Sequence, residues 1–169
     1  MKITIIGLPG SGKSILAEKI STLKNISYIH IDSFWREGGG GHNSRTTPNP
    51  EQTHNYVQKK VLEKIKQDSW VSDGFYPLIQ TEVVKEADEI IFLDISLLQR
   101  LFNHMKRTIF RKKRNNEMTL WADLMFFFEM MGSGSTKTSK INNFLKPYQD
   151  KTTVLKSRKE IEKYLKFLI

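Results

Sequence analysis

Short runs of almost entirely apolar residues alternate along this chain with longer segments in which apolar residues recur every three or four positions. Unbroken apolar runs are typical of strands that are covered on both faces, as in a parallel sheet. Two runs fit this description, Lys2–Ile6 and Ile90–Asp94, and three further short runs are predicted as strands: Tyr28–Ile31, Trp70–Ser72 and Thr152–Leu155. Because strands that alternate with helices form parallel sheets, the pattern predicts a three-layer α/β fold around a five-stranded parallel sheet.

Helical periodicity is present in the segments between these strands. It covers Lys13 to about Leu23, Glu51–Gln67, a long stretch from about Ser96, Met118–Met131 and the C-terminal segment after a capping box at Ser157 and Glu160. We expect Ser33–Pro50, which contains four consecutive glycines, to be a loop or flap, and Gly132–Thr136 to be a break. No internal repeat or long linker interrupts the pattern, so we expect a single domain over residues 1–169.

The composition excludes several classes of protein. Of 169 residues, 38% are hydrophobic and 27% are charged, which is enough apolar material for a core and too much for a disordered chain. No apolar run reaches the about 18 residues of a transmembrane helix, so we expect no membrane span. The absence of cysteine excludes a disulfide scaffold, a cysteine–zinc site and thiol catalysis. It is compatible with the cytoplasm, which is the expected location.

Positive charge is concentrated in the C-terminal part of the chain. Residues 1–98 contain 11 basic and 12 acidic residues, a net charge of −1, whereas residues 99–169 contain 16 and 6, a net charge of +10. Such asymmetry indicates an anionic partner: the phosphate groups of a small ligand, nucleic acid or a membrane surface. The alternative is a solvated, solubilising surface.

The segment GLPGSGKS, residues Gly7–Ser14, matches the phosphate-binding pattern G-x-x-x-x-G-K-[ST] between a predicted strand and a predicted helix. Glycines let backbone N–H groups face a phosphate, and the start of the helix adds the positive end of its dipole. Lys13 supplies a cation for the β- and γ-phosphates, and Ser14 supplies a hydroxyl ligand for Mg²⁺. The residues expected to bind the nucleotide are Leu8, Pro9, Gly10, Ser11, Gly12, Lys13, Ser14 and Ile15.

Two aspartates follow predicted strands, at the edge of the sheet where ligands of such folds bind. Asp32 follows the second strand, Asp73 follows the third, and Gly74 would let the backbone approach a ligand. A carboxylate at this edge accepts a proton from an attacking hydroxyl or holds a water molecule on Mg²⁺. We therefore expect Asp32 to act in catalysis and, through water, at the metal, and Asp73 and Gly74 to contact the acceptor. The alternative is that the aspartates cap helices or turns.

Arginines recur at helical spacing in the long helix. Arg100, Arg107, Arg111 and Arg114 are separated by 7, 4 and 3 positions, which places them near one face, and no acidic residue lies between the first and the last. Arginine binds phosphate bidentately and stabilises the charge of a transferring phosphoryl group. We expect Arg107 and Arg111 to form a catalytic lid, with a solvated face or a nucleic-acid patch as alternatives.

Aromatic residues follow the same two strands as the aspartates. Phe34, Trp35, Arg36 and Tyr76 are expected to line the acceptor pocket, because they project from strand ends. An aromatic wall suits a nucleobase, whereas an arginine suits an acid or a phosphate. The sequence therefore does not determine the identity of the acceptor. The four histidines show no metal-ligand spacing. The apolar cluster in Trp121–Met131 is expected to be core or a dimer face.

Several segments together resemble one group of kinases. GLPGSGKS is similar to the phosphate loop of adenylate kinases, and HIDSFW, residues His30–Trp35, resembles the aspartate-containing stretch of small-molecule kinases. WVSDGFY, residues Trp70–Tyr76, resembles the Asp-Gly-Phe segment of adenylate kinases, although Tyr76-Pro77 replaces the Pro-Arg expected next. With KEADEIIFLD and VLKSRKEIEKYL included, the chain looks most like the DNA topology modulation proteins, which are related to adenylate kinase.

This resemblance implies a P-loop NTPase fold of the nucleoside-monophosphate-kinase type, with residues 33–67 as acceptor-binding flap and helix and 96–131 as basic lid. It implies ATP or GTP and Mg²⁺ as cofactors, with the base near Arg111 and Arg158. We expect a phosphotransferase that moves the γ-phosphoryl group to a nucleotide, nucleoside or other small acceptor, working without a membrane as a monomer or homodimer. The alternative is a nucleotide-dependent DNA-binding or topology-modulating protein without kinase activity, although the sequence contains no DNA-reading module.

Overall fold

Five strands form one sheet in the computed structural model, which describes residues 1–41, 46–112 and 134–168, excepting the side chains of 107–112 and 134–136. The strands are β1 (Lys2–Gly7), β2 (Ser27–His30), β3 (Trp70–Asp73), β4 (Glu89–Leu93) and β5 (Thr152–Leu155). Their order is β2-β3-β1-β4-β5, and β3 pairs in parallel with both β1 and β2. The prediction of a five-stranded parallel sheet is confirmed, and β1 is its central strand.

Seven α-helices lie within the described residues. They are α1 (Lys13–Lys24), α2 (Ile31–Glu37), α3 (Pro50–Lys64), α4 (Gln80–Glu86), α5 (Leu97–Lys112), α6 (Gly134–Leu145) and α7 (Arg158–Phe167). A 3₁₀ segment, Lys146–Lys151, joins α6 to β5. No helix of the described ranges is both long enough and apolar enough to cross a membrane.

The segment that was expected to be a loop after the second strand begins as a helix. β2 ends at His30 and α2 follows at once, so Asp32 lies in the first helical turn and Ser33–Glu37 is helical. Ile31 is buried, and Phe34 and Trp35 pack against the core, so burial of one face stabilises this short helix. The loop prediction was therefore wrong for Ser33–Glu37.

Two further differences concern polar segments. Helix α4 was not predicted, because seven residues are too few to show a clear period. The expected break at Gly132–Thr136 was wrong for its last three residues, since α6 begins at Gly134 and small polar residues are common at helix starts. The predicted helix Met118–Met131 lies outside the described residues.

The last helix begins as its sequence predicts. The Ser157 side chain accepts a hydrogen bond from the Glu160 backbone N–H at 3.2 Å. The Glu160 carboxylate in turn accepts from the Lys156 N–H at 2.8 Å, one residue before the cap. This bond, with a second from the Ser157 hydroxyl to the same carboxylate at 3.0 Å, holds the pKa of Glu160 below its ordinary value.

The described residues form two compact units. The first comprises Met1–Ile6 and Ser14–Ile91, and its core contains Trp70 surrounded by aliphatic residues of β2, α3 and α4. The second comprises Gly7–Lys13 and Phe92–Leu168, with buried residues on β4, α5, α6 and β5. The expectation of one domain over the whole chain stays a prediction.

Candidate functional site

The phosphate-binding motif forms the loop between β1 and α1. Gly10 and Gly12 adopt positive φ angles of 79° and 94°, which only glycine accepts readily. The Ser11 N–H donates to the Leu8 carbonyl at 3.1 Å, and Pro9 and Gly10 lie between them, as in a type II turn. The Lys13 ammonium donates to the Leu8 carbonyl at 3.2 Å, so this cation lies on the loop. The arrangement suits an anion at the start of a helix.

Helix α5 packs against this loop within the second unit. The Arg100 Nη1 donates to the Pro9 carbonyl at 3.4 Å, and the Asn103 Nδ2 donates to the Gly10 carbonyl at 2.9 Å. Arg100 is only 4% exposed, so burial lowers its pKa, and the carboxylate of Asp94 opposes that effect. Sequence reasoning missed both contacts, because spacing along α5 does not show which element the helix meets.

In the first unit, Ser14 and Asp73 are in direct contact. The Ser14 Oγ donates to the Asp73 Oδ2 at 2.5 Å. Asp73 is the last residue of β3 and is 1% exposed, and its Oδ1 accepts no hydrogen bond from any described residue. The His30 Nε2 lies 4.0 Å from that oxygen. A buried carboxylate oxygen without a donor is unusual in a folded protein and suggests a missing partner.

Two residues of β2 complete the surroundings of Asp73. The Tyr28 hydroxyl is buried, and burial together with the charge of Asp73 raises the pKa of Tyr28, so the phenol stays protonated. The rings of Tyr28 and His30 stack at 5.6 Å between centroids. The sequence shows a polar–apolar alternation here, with Ile29 between them, and it would have placed both rings on one face of the strand.

The residues around Ser14 and Asp73 fit a magnesium ion. Among the described residues there is no group of three or more histidines, cysteines or carboxylates that could hold a metal on its own. Mg²⁺ is ordinarily held by one or two protein groups together with water and substrate phosphates. One hydroxyl and one buried carboxylate oxygen without a donor match that requirement.

Asp32 and Gly74 are neighbours, as the sequence suggested. Gly74 has a φ of 115°, and a Cβ at this position would lie 3.9 Å from the Asp32 Oδ1. The Asp32 side chain is exposed in the first turn of α2, and Arg36 is exposed one turn later. The fold thus leaves the Asp32 carboxylate accessible to a ligand, whereas Asp73 is buried.

Three aromatic side chains from separate elements form an aromatic cluster, defined here as Trp35, His54 and Tyr76. Their ring centroids are 5.2 to 6.0 Å apart. The Tyr76 hydroxyl hydrogen-bonds to the His54 Nδ1, and burial raises the pKa of Tyr76 to about 12. Trp35 and Tyr76 were expected at the acceptor, and Phe34 packs with them on the core. His54 was missed, because nothing in its local sequence marks it.

The glycine tract lies along Trp35. The Trp35 Nε1 donates to the Gly41 carbonyl at 2.8 Å, and a Cβ at Gly40 would come within 2.3 Å of that nitrogen. The Thr53 hydroxyl donates to the Gly38 carbonyl at 2.8 Å. Glycine is therefore required at position 40, because the indole occupies the space of a side chain.

The remaining candidate residues lie on helices α1, α5 and α7. Arg107 and Arg111 belong to helix α5. The structure describes their backbone, and their side chains lie outside the described part. Arg158 begins α7 and is exposed, and it pairs with Glu162 at 3.0 Å. Ile15 is 64% exposed on α1.

Comparisons with known proteins agree on the fold. No family model matches the chain, and no curated protein matches it. Shikimate kinase from Acinetobacter baumannii, solved with shikimate, is similar over 99% of this chain and 92% of its own, at 16% identity and a TM-score of 0.59. Deoxyadenosine kinase from M. mycoides is similar over 99% and 98%, at 17% identity and a TM-score of 0.57. A Thermus thermophilus protein, TT1252, is similar over 99% and 95%, at 14% identity and a TM-score of 0.55. The chain therefore has the fold of P-loop kinases.

Replacing Gly10 by alanine is expected to destabilise the protein more than replacing Gly12. A positive φ costs a non-glycine residue about 1–3 kcal/mol at either position. A Cβ at Gly10 would also lie 2.8 Å from the Arg100 carbonyl oxygen, whereas nothing lies within 4 Å at Gly12. Urea denaturation of Gly10→Ala, Gly12→Ala and the exposed control Ile15→Ala measures the difference. If Gly10→Ala and Gly12→Ala lower the free energy of unfolding equally, the close packing of α5 against the loop is contradicted.

Proposed function

We propose that this protein is a small-molecule kinase that transfers the γ-phosphoryl group of ATP to a hydroxyl group of its acceptor. The observation on which the proposal rests is the phosphate loop, which continues directly into Ser14 and its hydrogen bond to the buried Asp73. This combination of glycine loop, lysine, hydroxyl and carboxylate is that of a nucleoside triphosphate site. Two of the similar structures are also small-molecule kinases.

The nucleotide is proposed to bind with its phosphates in the loop. Lys13 neutralises the β- and γ-phosphates, and backbone N–H groups of the loop and of the start of α1 donate to their oxygens. Ser14 would ligate Mg²⁺, and the Asp73 Oδ1 would accept from a water on the metal, which supplies charge neutralisation when bound. We therefore give Asp73 the place at the metal that the sequence suggested for Asp32.

The acceptor hydroxyl is proposed to meet Asp32. As the hydroxyl oxygen bonds to the γ-phosphorus, the bond to the bridging oxygen of ADP breaks, and the Asp32 carboxylate takes the hydroxyl proton. This role needs an accessible carboxylate, which Asp32 has and Asp73 lacks. A phosphate acceptor is already anionic and would need no such base.

The residues near Asp32 support a proposal for the chemical class of the acceptor. The aromatic cluster would provide a flat apolar wall, which suits a planar ring, and the exposed Arg36 would suit an anionic group. Gly74 would let the acceptor approach the backbone. We propose an acceptor that combines a hydroxyl with a ring, such as a nucleoside or a cyclic acid.

Two arginines of the basic C-terminal part, residues 99–169, are proposed to contact the phosphoryl group during its transfer. Arg107 and Arg111 would stabilise the charge that develops on the phosphoryl oxygens, which is the main catalytic requirement of this reaction. The base of the nucleotide would lie near Arg111 and Arg158. The ion pair of Arg158 with Glu162 is exposed, and such pairs contribute little to stability. The Arg158 guanidinium could therefore leave Glu162 and contact the nucleotide base.

Replacing Lys13 by alanine is expected to weaken ATP binding by about 1.5–3 kcal/mol, because a charge-assisted contact to phosphate is lost. This corresponds to a rise in Kd of about 10- to 150-fold. Titration calorimetry with Mg-ATP measures it, and Lys19→Ala, an exposed lysine on the same helix, is the matched control. Equal affinity of Lys13→Ala and parent would show that the loop is not a working phosphate site.

Replacing Asp32 by asparagine is expected to lower kcat by about 10²–10⁴-fold, the usual contribution of a general base, with little change in the Kd for ATP. Acceptor-dependent ADP release is first screened with nucleosides, nucleotides and cyclic acids, and the best acceptor is then used. Asp68→Asn, an exposed carboxylate before β3, is the control. Turnover that survives Asp32→Asn undiminished would remove Asp32 from the mechanism.

A nucleic-acid partner is the second candidate, favoured by the net charge of +10 over residues 99–169 and by the resemblance to topology modulation proteins. Binding through phosphate neutralisation falls steeply with salt. We expect no duplex DNA shift in gel electrophoresis at moderate salt with or without ATP. Tight, salt-sensitive binding without acceptor-dependent turnover would favour the DNA-binding function over the kinase.

A further inference from the structure

We propose that Arg100 and Asn103 of helix α5 are positioning residues that fix the orientation of the phosphate loop from its outer side. The inference rests on the proposed function, because it assumes that the loop binds the phosphates of a nucleotide. Neither residue is expected to touch the nucleotide. They would act through the two backbone carbonyls that they hold.

The reason lies in the turn that forms the first half of the loop. The central peptide of a β-turn, here Pro9–Gly10, has two orientations that differ by a flip of its carbonyl and distinguish turn types I and II. In a trans peptide the N–H points opposite to the carbonyl. A bond that holds the Pro9 carbonyl therefore also sets the direction of the Gly10 N–H, which is a donor for phosphate in a loop of this kind.

Helix α5 supplies the bonds that select one orientation. Arg100 reaches the Pro9 carbonyl at 3.4 Å, and Asn103 reaches the next carbonyl, that of Gly10, at 2.9 Å. The α5 backbone is also in close contact with the loop, since a Cβ on Gly10 would lie 2.8 Å from the Arg100 carbonyl oxygen. Arg100 is 4% exposed, so its side chain is confined at this place. Two donors one helical turn apart thus hold two successive carbonyls.

The same helix continues without a break to Lys112. At about 100° per residue, positions 107 and 111 lie on the same side of the helix as position 100. The backbone that would bear the lid arginines is therefore part of the element that holds the loop. A change in the orientation of α5 would alter both the donors of the loop and the position of the lid.

The test uses Asn103→Leu, which removes the donor at an exposed position and is expected to fold. Its matched control is Gln99→Leu, an exposed amide one turn earlier on α5. Calorimetry with inorganic tripolyphosphate and with Mg-ATP gives the affinity for the phosphate chain alone and for the nucleotide. Thermal unfolding without ligand and amide hydrogen exchange of Gly10 report on the fold and on the loop.

We expect Asn103→Leu to weaken tripolyphosphate and Mg-ATP by a similar factor of about 2- to 12-fold, the value of one ordinary hydrogen bond. In Asn103→Leu the Gly10 amide hydrogen should exchange faster than in the parent. The thermal unfolding midpoint of Asn103→Leu should equal that of Gln99→Leu. Arg100→Lys, which keeps the charge and shortens the donor, should add to the loss in the double variant. These changes separate positioning from a general loss of stability.

Two results would overturn the inference, and they differ in whether the proposed function fails as well. If the parent binds tripolyphosphate and Asn103→Leu binds it as tightly as Gln99→Leu does, the positioning role is wrong and the proposed function stands. If the parent binds neither tripolyphosphate nor Mg-ATP, the proposed function is wrong, and the positioning role is lost with it.

Discussion

The constraint on which the rest of the candidate site depends is the left-handed backbone of the loop after β1. Gly10 and Gly12 must adopt positive φ angles for the chain to turn from the central strand into α1 with its N–H groups available. The turn closed by Ser11, the contact of Lys13 with the Leu8 carbonyl and the two carbonyls bound by α5 all lie on this path. A side chain at Gly10 would break both the path and the packing of α5.

Burial distinguishes the two carboxylates of the candidate site. Asp73 is surrounded by Ser14, Tyr28 and His30 and has one oxygen without a donor, so its environment suits a fixed electrostatic role. Asp32 is exposed beside Gly74, where a proton acceptor is accessible to a small molecule. The proposed phosphoryl transfer would require little covalent chemistry from the protein and mainly positioning and charge stabilisation, and the two carboxylates would supply both.

The aromatic cluster and the glycine tract are joined by the contact between Trp35 and the tract. The tract binds the Trp35 indole through its backbone, and His54 binds the Tyr76 hydroxyl, so polar groups of both aromatic residues are satisfied within the protein. This explains the glycine at position 40, since the indole takes the place that a side chain there would fill.

Local sequence was sufficient for the strands, the phosphate loop and the cap at Ser157, because each depends on residues close together in the chain. Tertiary structure decided the rest. Ser33–Glu37 became helical because the core buries its apolar face. Tyr28 and His30 meet Asp73 through the register of β2 with β3, and Arg100 reaches Pro9 across 91 positions. Periodicity shows which face of an element is apolar, but the neighbour that this face meets is determined only when all elements pack together.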